Sequence, residues 1–456
     1  MSRIVCKFGG SSLADANQFR RVRAIVESDP RRSIVVPSAP GKRSSSDAKL
    51  TDLLYLCQHS ATLGSDFSGP FTQVRDRFLE IERDLGLSGG MAAHLDALEA
   101  ALREGVTKDF VASRGEYLNG LLMAAYLGAE FVDPEHFIII QPNGSVDPQT
   151  YPLLGERLSD TSKRYVVPGF YGRDAKGRVR TFSRGGSDIS GAIVARAVMA
   201  ELYENWTDVS GLLMADPRIV KDPKPMQEVT YAEIRELSYM GASVLHDEAI
   251  SPVREVGIPI NIRNTNAPEH DGTRIVSTLS PHVEQTTEIA GIAGKKAFSM
   301  ISVEKSLMNK EVGFGYRLLG ILERHNISFE HCPSSIDSMS VVVDSSNIED
   351  KIEVVLNEIR TSLSPDKVDF VPSIALIAIV GEGMSKTIGI AAKVFIALRD
   401  AKVNVRIINQ GASELNIIVG VVPEDYERAL QALYEAFVSG PADIAASRAS
   451  RPPPEA

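Results

Sequence analysis

The chain predicts an α/β domain with a mainly parallel sheet and a helical insertion, followed by two small α+β, ferredoxin-like units. Three observations carry this expectation. Short apolar strand patterns alternate with helical patterns over about the first 285 residues, residues 65–130 turn mostly helical, and the last third repeats itself at an offset of 76 residues.

Ile4–Lys7, Ser33–Pro37, Phe137–Ile140, Tyr165–Val167 and Pro259–Ile262 are short apolar runs that read as buried strands. Asn17–Glu27, Leu50–Leu56 and Ile189–Tyr203 carry helical patterns between them. This alternation is the signature of a parallel sheet covered on both faces. Phe71–Leu85, Met91–Arg103 and Glu116–Leu127 predict the helices of the insertion. Residues 264–273, rich in turn formers, close the first domain, which is placed at 1–285. In the remainder, Met308, Lys310 and Gly313 correspond to Met384, Lys386 and Gly389, and the strand Val341-Val342-Val343 to Ile417-Ile418-Val419. The repeats are placed at about 298–372 and 373–440 within 286–440, each with a glycine loop, an amphipathic helix and strands. The proline-rich end, 441–456, reads as a disordered tail.

The 43% hydrophobic and 24% charged residues are those of a soluble globular protein. A net charge of −10 without a long basic run argues against a nucleic-acid or anionic-membrane surface. Cys6, Cys57 and Cys332 are scattered and read as buried or half-buried thiols, with neither zinc nor a disulfide framework. The N-terminus lacks a charged-then-apolar signal, and no run approaches the about 18 apolar residues of a spanning helix. A cytoplasmic, bacterial-type enzyme fits these bounds.

The chemistry sits in loops at strand ends, where open α/β sheets bind ligands. Lys7-Phe8-Gly9-Gly10-Ser11-Ser12 follows the first strand: glycines let backbone N–H groups approach an anion, and lysine adds a point charge. Alone it is an ordinary tight turn. A second loop, Arg184-Gly185-Gly186-Ser187-Asp188, runs into a helix whose N-terminus favours an anion. Ser38 follows the second strand, Thr51 opens a helix, and Ser113-Arg114-Gly115-Glu116 is placed at a helix start. Trp206-Thr207-Asp208-Val209 ends another strand and leads to Asp216-Pro217-Arg218. No P-loop and no protein-kinase signature is present. Two anion-seeking loops with spare carboxylates and an arginine suggest phosphoryl transfer from a nucleotide to a small amphoteric acceptor. A carboxylate acceptor, with a pKa near ~4, needs no general base, which agrees with the lack of histidine in these loops. Lysine, Mg²⁺ and helix-terminal N–H groups would then bring two anions together.

These five ordered motifs resemble those of the aspartate kinases, members of the amino-acid-kinase family with a C-terminal pair of ACT domains. The resemblance runs from about residue 3 to residue 438. It implies an amino-acid-kinase-type three-layer domain followed by tandem ACT domains, ATP with Mg²⁺, and L-aspartate phosphorylated to 4-phospho-L-aspartate. It also implies that Lys7 neutralises the transferring phosphoryl group while Gly9, Gly10 and Ser11 line its path. Ser38 and Thr51 would hydrogen-bond the amino acid, Glu116 would face its α-ammonium, and Arg184 would grip its α-carboxylate. Asp188 would orient Lys7 and the ammonium; Gly186, Ser187, Thr207, Asp208 and Arg218 would surround the nucleotide. Taken singly, Glu116 and Asp188 also read as carboxylates supporting a helix N-terminus. One departure stands out: where many members carry lysine in a Gly-Ala-x-Val-Leu-His segment, this chain has Ser243, leaving the nucleotide contacts there open, and His246 reads as structural.

The ACT resemblance implies a homodimer or homotetramer through these domains, with lysine or threonine as effector. The implied loop of the first repeat includes Met308, Glu311, Gly313, Phe314 and Gly315, facing Ser328, Phe329 and Glu330. Glu330 suits a cationic ligand end and favours lysine, whereas the second repeat has Arg406 at that position. Glu330 as a solvated strand-end carboxylate is the plainer alternative. A kinase acting on glutamate, acetylglutamate, carbamate or UMP, and a catalytically silent amino-acid sensor, are the competing readings of the whole chain.

Overall fold

A computed structural model describes residues 2–182, 185–242, 247–280 and 287–438. The first unit comprises residues 1–212, 227–231 and 244–283, and the second comprises 213–226, 232–243 and 284–456. The expected single boundary near residue 285 is therefore corrected. Two excursions, 213–226 and 232–243, leave the first unit for the second, a long-range exchange that no local composition shift announces.

The first unit is built on β1 (Ile4–Phe8), β2 (Arg32–Pro37), β3 (Glu130–Phe131), β4 (Tyr165–Val166), β5 (Tyr171–Arg173), β6 (Val179–Thr181), β7 (Leu202–Thr207), β8 (Glu228–Thr230), β9 (Ile260–Asn264) and β10 (Thr273–Val276). Eight of these form one sheet in the order β3-β4-β2-β1-β7-β9-β10-β8. Every neighbouring pair is parallel except β9 with β10. β5 and β6 form a separate hairpin. The helices are α1 (Ala16–Glu27), α2 (Leu50–Thr62), α3 (Ser68–Asp84), α4 (Met91–Glu104), α5 (Lys108–Leu127), α6 (Thr150–Arg157), α7 (Gly186–Ala197), α8 (Tyr231–Tyr239), whose residues from Ala232 belong to the second unit, and α9 (Asp247–Arg254). Cys6, Phe8, Val35 and Trp206 pack with apolar residues of α1–α5 into one core. α7 packs on β1, β2 and β7. Strand residues alternate between faces, so β1 and β7 send Lys7 and Asn205 to the side opposite Phe8 and Trp206.

Three expectations change locally. Ser113-Arg114-Gly115-Glu116 lies well inside α5 and not at its start, because Thr107 caps the helix by accepting a hydrogen bond from the Phe110 N–H. The helix placed at Ile189–Tyr203 stops at Ala197, Met199 adopts a left-handed φ of 46°, and β7 begins at Leu202. Polar Glu204 and Asn205 hid the start of that strand from an apolar-run reading. Phe137–Ile140 forms only isolated bridges, Ile139 with Arg173 and Ile140 with Val146. Cys6 and Cys57 are buried and Cys332 half-buried, all as free thiols. No helix among the described residues is long and apolar enough to cross a membrane.

The second unit contains β11 (Gly291–Glu304), α10 (Phe314–Arg324), β12 (Phe329–His331), β13 (Ser338–Asp344), α11 (Ser345–Ile348), α12 (Ile352–Leu363), β14 (Lys367–Val380), α13 (Ile390–Asp400), β15 (Ile407–Asn409), β16 (Asn416–Val421) and α14 (Tyr426–Val438). One sheet runs β12-β13-β11-β14-β16-β15. The repeats are not simply consecutive. Residues 298–304 of β11 pair with β13 and with the start of β14, whereas residues 291–295 pair with 376–380, the end of β14. The second repeat thus takes a strand from before the first, and the first repeat is nested inside it.

On the core side of the first sheet, Glu204 is 1% exposed and meets Arg32 through two bonds of 2.8 and 2.9 Å. The Trp206 indole N–H donates to the same carboxylate at 2.9 Å. Removing one partner leaves this buried carboxylate with only Arg263, at 3.6 Å, as a charged partner among the described residues, so Arg32→Met should destabilise the first unit by about 3 kcal/mol. Arg32→Met combined with Glu204→Met should recover only part of that loss, because the buried Trp206 indole N–H then lacks its acceptor. Urea midpoints of the three proteins, followed by circular dichroism, check both outcomes.

Candidate active site

The loops after β1 and β2 are fastened backbone to backbone. Gly41 N–H donates to Gly10 O at 2.8 Å, and Ser38 N–H to Phe8 O at 3.0 Å. A Cβ on Gly41 would lie 2.5 Å from the Gly10 carbonyl carbon, so no side chain fits there. With the start of α7 and the middle of α5, these loops enclose a cleft of about 810 Å³ at the carboxyl ends of the first two strands. Lys7, Gly9, Gly10, Ser38, Thr51, Glu116, Gly186, Ser187 and Asp188, all named from the sequence, line it.

Lys7 Nζ lies 2.5 Å from Asp188 Oδ1. Both are largely buried, which weakens screening and favours a fixed geometry. Asp188 lies in the first turn of α7, whose N-cap Gly185 has φ 75°, a left-handed conformation that suits glycine. The first N–H groups of a helix have no intrahelical acceptor, so this end attracts an anion. Asn205, which the sequence did not single out, joins the pair: Lys7 Nζ donates to its Oδ1 at 3.3 Å and its Nδ2 donates to Asp188 Oδ1 at 3.0 Å.

Glu116 is the opposite pole. It reaches the cleft from mid-helix because Gly115 lets α5 approach closely: a Cβ there would lie 3.0 Å from Ala39 Cβ. Its carboxyl group is 6% exposed as a residue, and Oε2 meets no donor among the described residues. Burial pushes its pKa up to about 8, against the opposing hydrogen bond from the Ala39 backbone and the charge of Lys49. The reading of Glu116 as a helix-terminal carboxylate is thereby excluded. Arg114 turns away: its guanidinium lies 4.4 Å from both the Phe110 and Tyr117 ring centroids and donates to Ser113 Oγ. Lys49, Asp52 and Tyr55 also line the cleft and were not anticipated; their place on and just before α2, beside Thr51, is the signal that could have found them.

The other expected residues are placed less centrally. Ser11, Thr207 and Asp208 are not among the lining residues, and Thr207 Oγ1 donates to Asp208 at 3.2 Å. Arg218 belongs to the second unit, where it is exposed and paired with Asp216 at 2.6 Å. Arg184, Ser243 and His246 lie outside the described residues, as does the tail 441–456. In the first repeat, Gly313 has φ 81° and caps α10, with Phe314 buried behind it. Met308 is also buried, Gly315 is half-buried, and Ser328 is exposed next to Phe329, itself 47% exposed. Glu311 is occupied by Lys305 at 2.7 Å and by Arg317. Glu330 is half-buried, its Oε2 meets no donor among the described residues, and burial, then Asp344, raises its pKa.

Comparison with known proteins agrees with this geometry. Residues 2–264 match the amino acid kinase family, and residues 377–437 match an ACT domain. Aspartokinase 3 of Bacillus subtilis (strain 168) is 40% identical over 452 residues, covering 96% of this chain and 99% of that one. The crystal structure of Clostridium acetobutylicum aspartate kinase shares 48% identity at a TM-score of 0.89, covering 95% of this chain and 100% of that one. E. coli aspartokinase III matches at 27% identity and a TM-score of 0.73 in two states: one with aspartate and ADP (95% of this chain, 99% of that one), the other with lysine and aspartate (96% and 100%). The chain belongs to the amino acid kinase family. Its activity is that of the aspartate kinases, ATP-dependent phosphotransferases with a carboxyl group as acceptor.

The raised pKa of Glu116 has a consequence for stability. A carboxyl group that holds its proton more tightly when folded contributes stability that is complete below its ordinary pKa of 4.5 and lost as pH rises towards about 8. Glu116→Gln, which cannot ionise, should therefore raise the melting temperature of the ligand-free enzyme at pH 8.5 and leave it near the parent's at pH 5. A thermal-shift series across that range checks the difference.

Proposed function

We propose that this aspartate kinase binds L-aspartate between Glu116 and the Lys7–Asp188 pair and transfers the γ-phosphoryl group of Mg·ATP to its β-carboxylate. The observation that carries the reading is the polarity of the cleft. A lysine fixed by carboxylate and amide stands at one end, and a buried carboxyl group with one oxygen lacking a donor among the described residues stands at the other.

Each group has one task. Glu116, protonated in the empty cleft at neutral pH, ionises when an α-ammonium replaces the missing donor, because a cation within contact stabilises the charged form. Ser38 and Thr51 hydrogen-bond the amino acid, and Arg184 holds its α-carboxylate as a bidentate fork. The β-carboxylate is then already the nucleophile, so no proton has to leave during attack. Lys7, Gly9, Gly10 and Ser11 accompany the phosphoryl group, and the α7 start at Gly186 and Ser187 takes the phosphates, with Thr207 and Asp208 on the nucleotide. Magnesium enters with the nucleotide as part of the substrate. Among the described residues no cluster of three or more His, Cys, Asp or Glu side chains is placed to hold a metal of its own.

The regulatory reading follows from the repeat. We assign lysine as the effector, held at the loop around Gly313 and Gly315 with its ε-ammonium on Glu330. The relative from E. coli solved with lysine supports the choice of ligand class. Arg406 would repel that ammonium, which leaves the second repeat to subunit contacts in a dimer or tetramer. We place the enzyme in the cytoplasm as a first step towards lysine, threonine and methionine.

Two outcomes are expected. With Mg·ATP and aspartate, hydroxylamine trapping should yield an aspartyl hydroxamate, and glutamate in place of aspartate should give little; no hydroxamate with aspartate would refute the reading. Millimolar lysine should inhibit the parent, and Glu330→Ala should lose about tenfold or more in sensitivity while uninhibited turnover stays the same. An alanine variant inhibited as strongly as the parent would remove Glu330 from the site.

A further inference from the structure

Asn205 stands at the centre of β7, registered beside Lys7 on β1, and is 3% exposed. A buried carboxamide in the middle of a sheet has to be matched by partners on both of its ends. Here they are the two charged members of the site. The orientation of the amide follows from charge: reversing it would set N–H groups against the Lys7 ammonium and an oxygen against the Asp188 carboxylate.

An ammonium carries three hydrogens. Asp188 Oδ1 takes one at 2.5 Å and Asn205 Oδ1 a second at 3.3 Å, so the third is left for the cleft that Lys7 lines. Without the amide, Lys7 has a single anchor and can turn about it. Asp188, in turn, loses a donor from the oxygen it offers to Lys7. The same face of β7 fixes Asp188 a second time, two residues earlier, where the Tyr203 hydroxyl donates to the Asp188 backbone oxygen at 3.0 Å. Gly191 makes room for that ring, since a Cβ there would lie 2.5 Å from the Tyr203 hydroxyl oxygen.

We propose that Asn205 is a positioning residue for phosphoryl transfer, aiming one Lys7 N–H at the transferring group by fixing the other two directions of the Lys7–Asp188 pair. The inference rests on the roles proposed above for Lys7 and Asp188. Asn205 touches neither substrate on this view, so its loss lowers turnover more than binding.

Steady-state kinetics with aspartate and Mg·ATP on the full chain test it. Asn205→Leu should lower kcat by about 10- to 100-fold and leave both KM values within about threefold, the pattern of a misaimed group. Asn205→Asp places a second carboxyl group against Asp188, so one of the two holds a proton to higher pH than usual. Its protonated form can donate to Asp188 as the amide does. The ratio of its kcat to the parent's should therefore rise as pH falls from 8 to 6, a response that loss of packing would not produce. An Asn205→Leu kcat within twofold of the parent's, or an Asn205→Asp ratio independent of pH, would overturn the proposal. Should Asn205→Leu fail to fold, the Asp ratio alone decides. Lys7→Ala separates the two levels: an active Lys7→Ala refutes the role of Lys7 itself, whereas an inactive Lys7→Ala beside a fully active Asn205→Leu refutes only the positioning role.

Discussion

The contact between Lys7 and Asp188 is the constraint around which the first unit is organised. It joins the end of β1 to the first turn of α7 across the floor of the cleft. A partly buried ion pair gains little unless its remaining hydrogen-bonding capacity is met, because desolvation offsets much of the attraction. β7 meets it here, with Asn205 on the side chains and Tyr203 on the backbone. Parallel pairing of β1 with β7, Lys7 opposite Asn205, is therefore a requirement of the site as much as of the sheet.

The same two strands face the core with their alternate residues. Cys6 and Glu204 lie across from each other there, and Glu204 gathers Arg32, Trp206 and Cys6. One face of the strand pair thus holds a closed charge cluster with every partner supplied by the protein. The other holds a cluster with one direction left open. On the roles proposed above, the structural ion pair and the working one differ in this completeness, and not in burial or residue type. Glu116 fits the same rule: it is buried like Glu204, but one of its oxygens has no donor among the described residues, and burial raises its pKa.

Residues at the ends of apolar runs were legible in the sequence. Lys7, Gly9 and Gly10, and likewise Gly186 to Asp188, announce themselves because glycine and charge interrupt a strand or open a helix. Asn205 was not legible, since a single amide inside a strand resembles an error in an apolar pattern and its meaning lies in β1, about two hundred residues away. Glu116 was found by its motif but misplaced at a helix start. Gly115 and Ser113 look like cap residues locally, while the true cap, Thr107, sits behind a short polar stretch. The repeat was visible from Gly313 and Gly389, yet its nesting was not. Periodicity compares a chain with itself and does not show which strands pair.

That nesting bears on how an effector could act. β11 and β14 each run for 14 residues and serve both repeats, with register shifts between Lys295 and Met300 where one repeat hands over to the other. Such irregularities increase local twist. The two ends of the strand order, β12 and β15, then come together, and Asn409 Nδ2 lies 3.1 Å from His331 Nδ1. Glu330 is the residue next to that contact on β12. Two consecutive domains joined by a linker could each order without the other. Two repeats that share continuous strands and touch at their edges are physically joined, since β12 connects to β13 and β11 by backbone hydrogen bonds and through His331 directly to β15. On the binding mode proposed above, a single ligand on the first repeat would bear on both, and Arg406 in the second repeat would not by itself remove that repeat from the response.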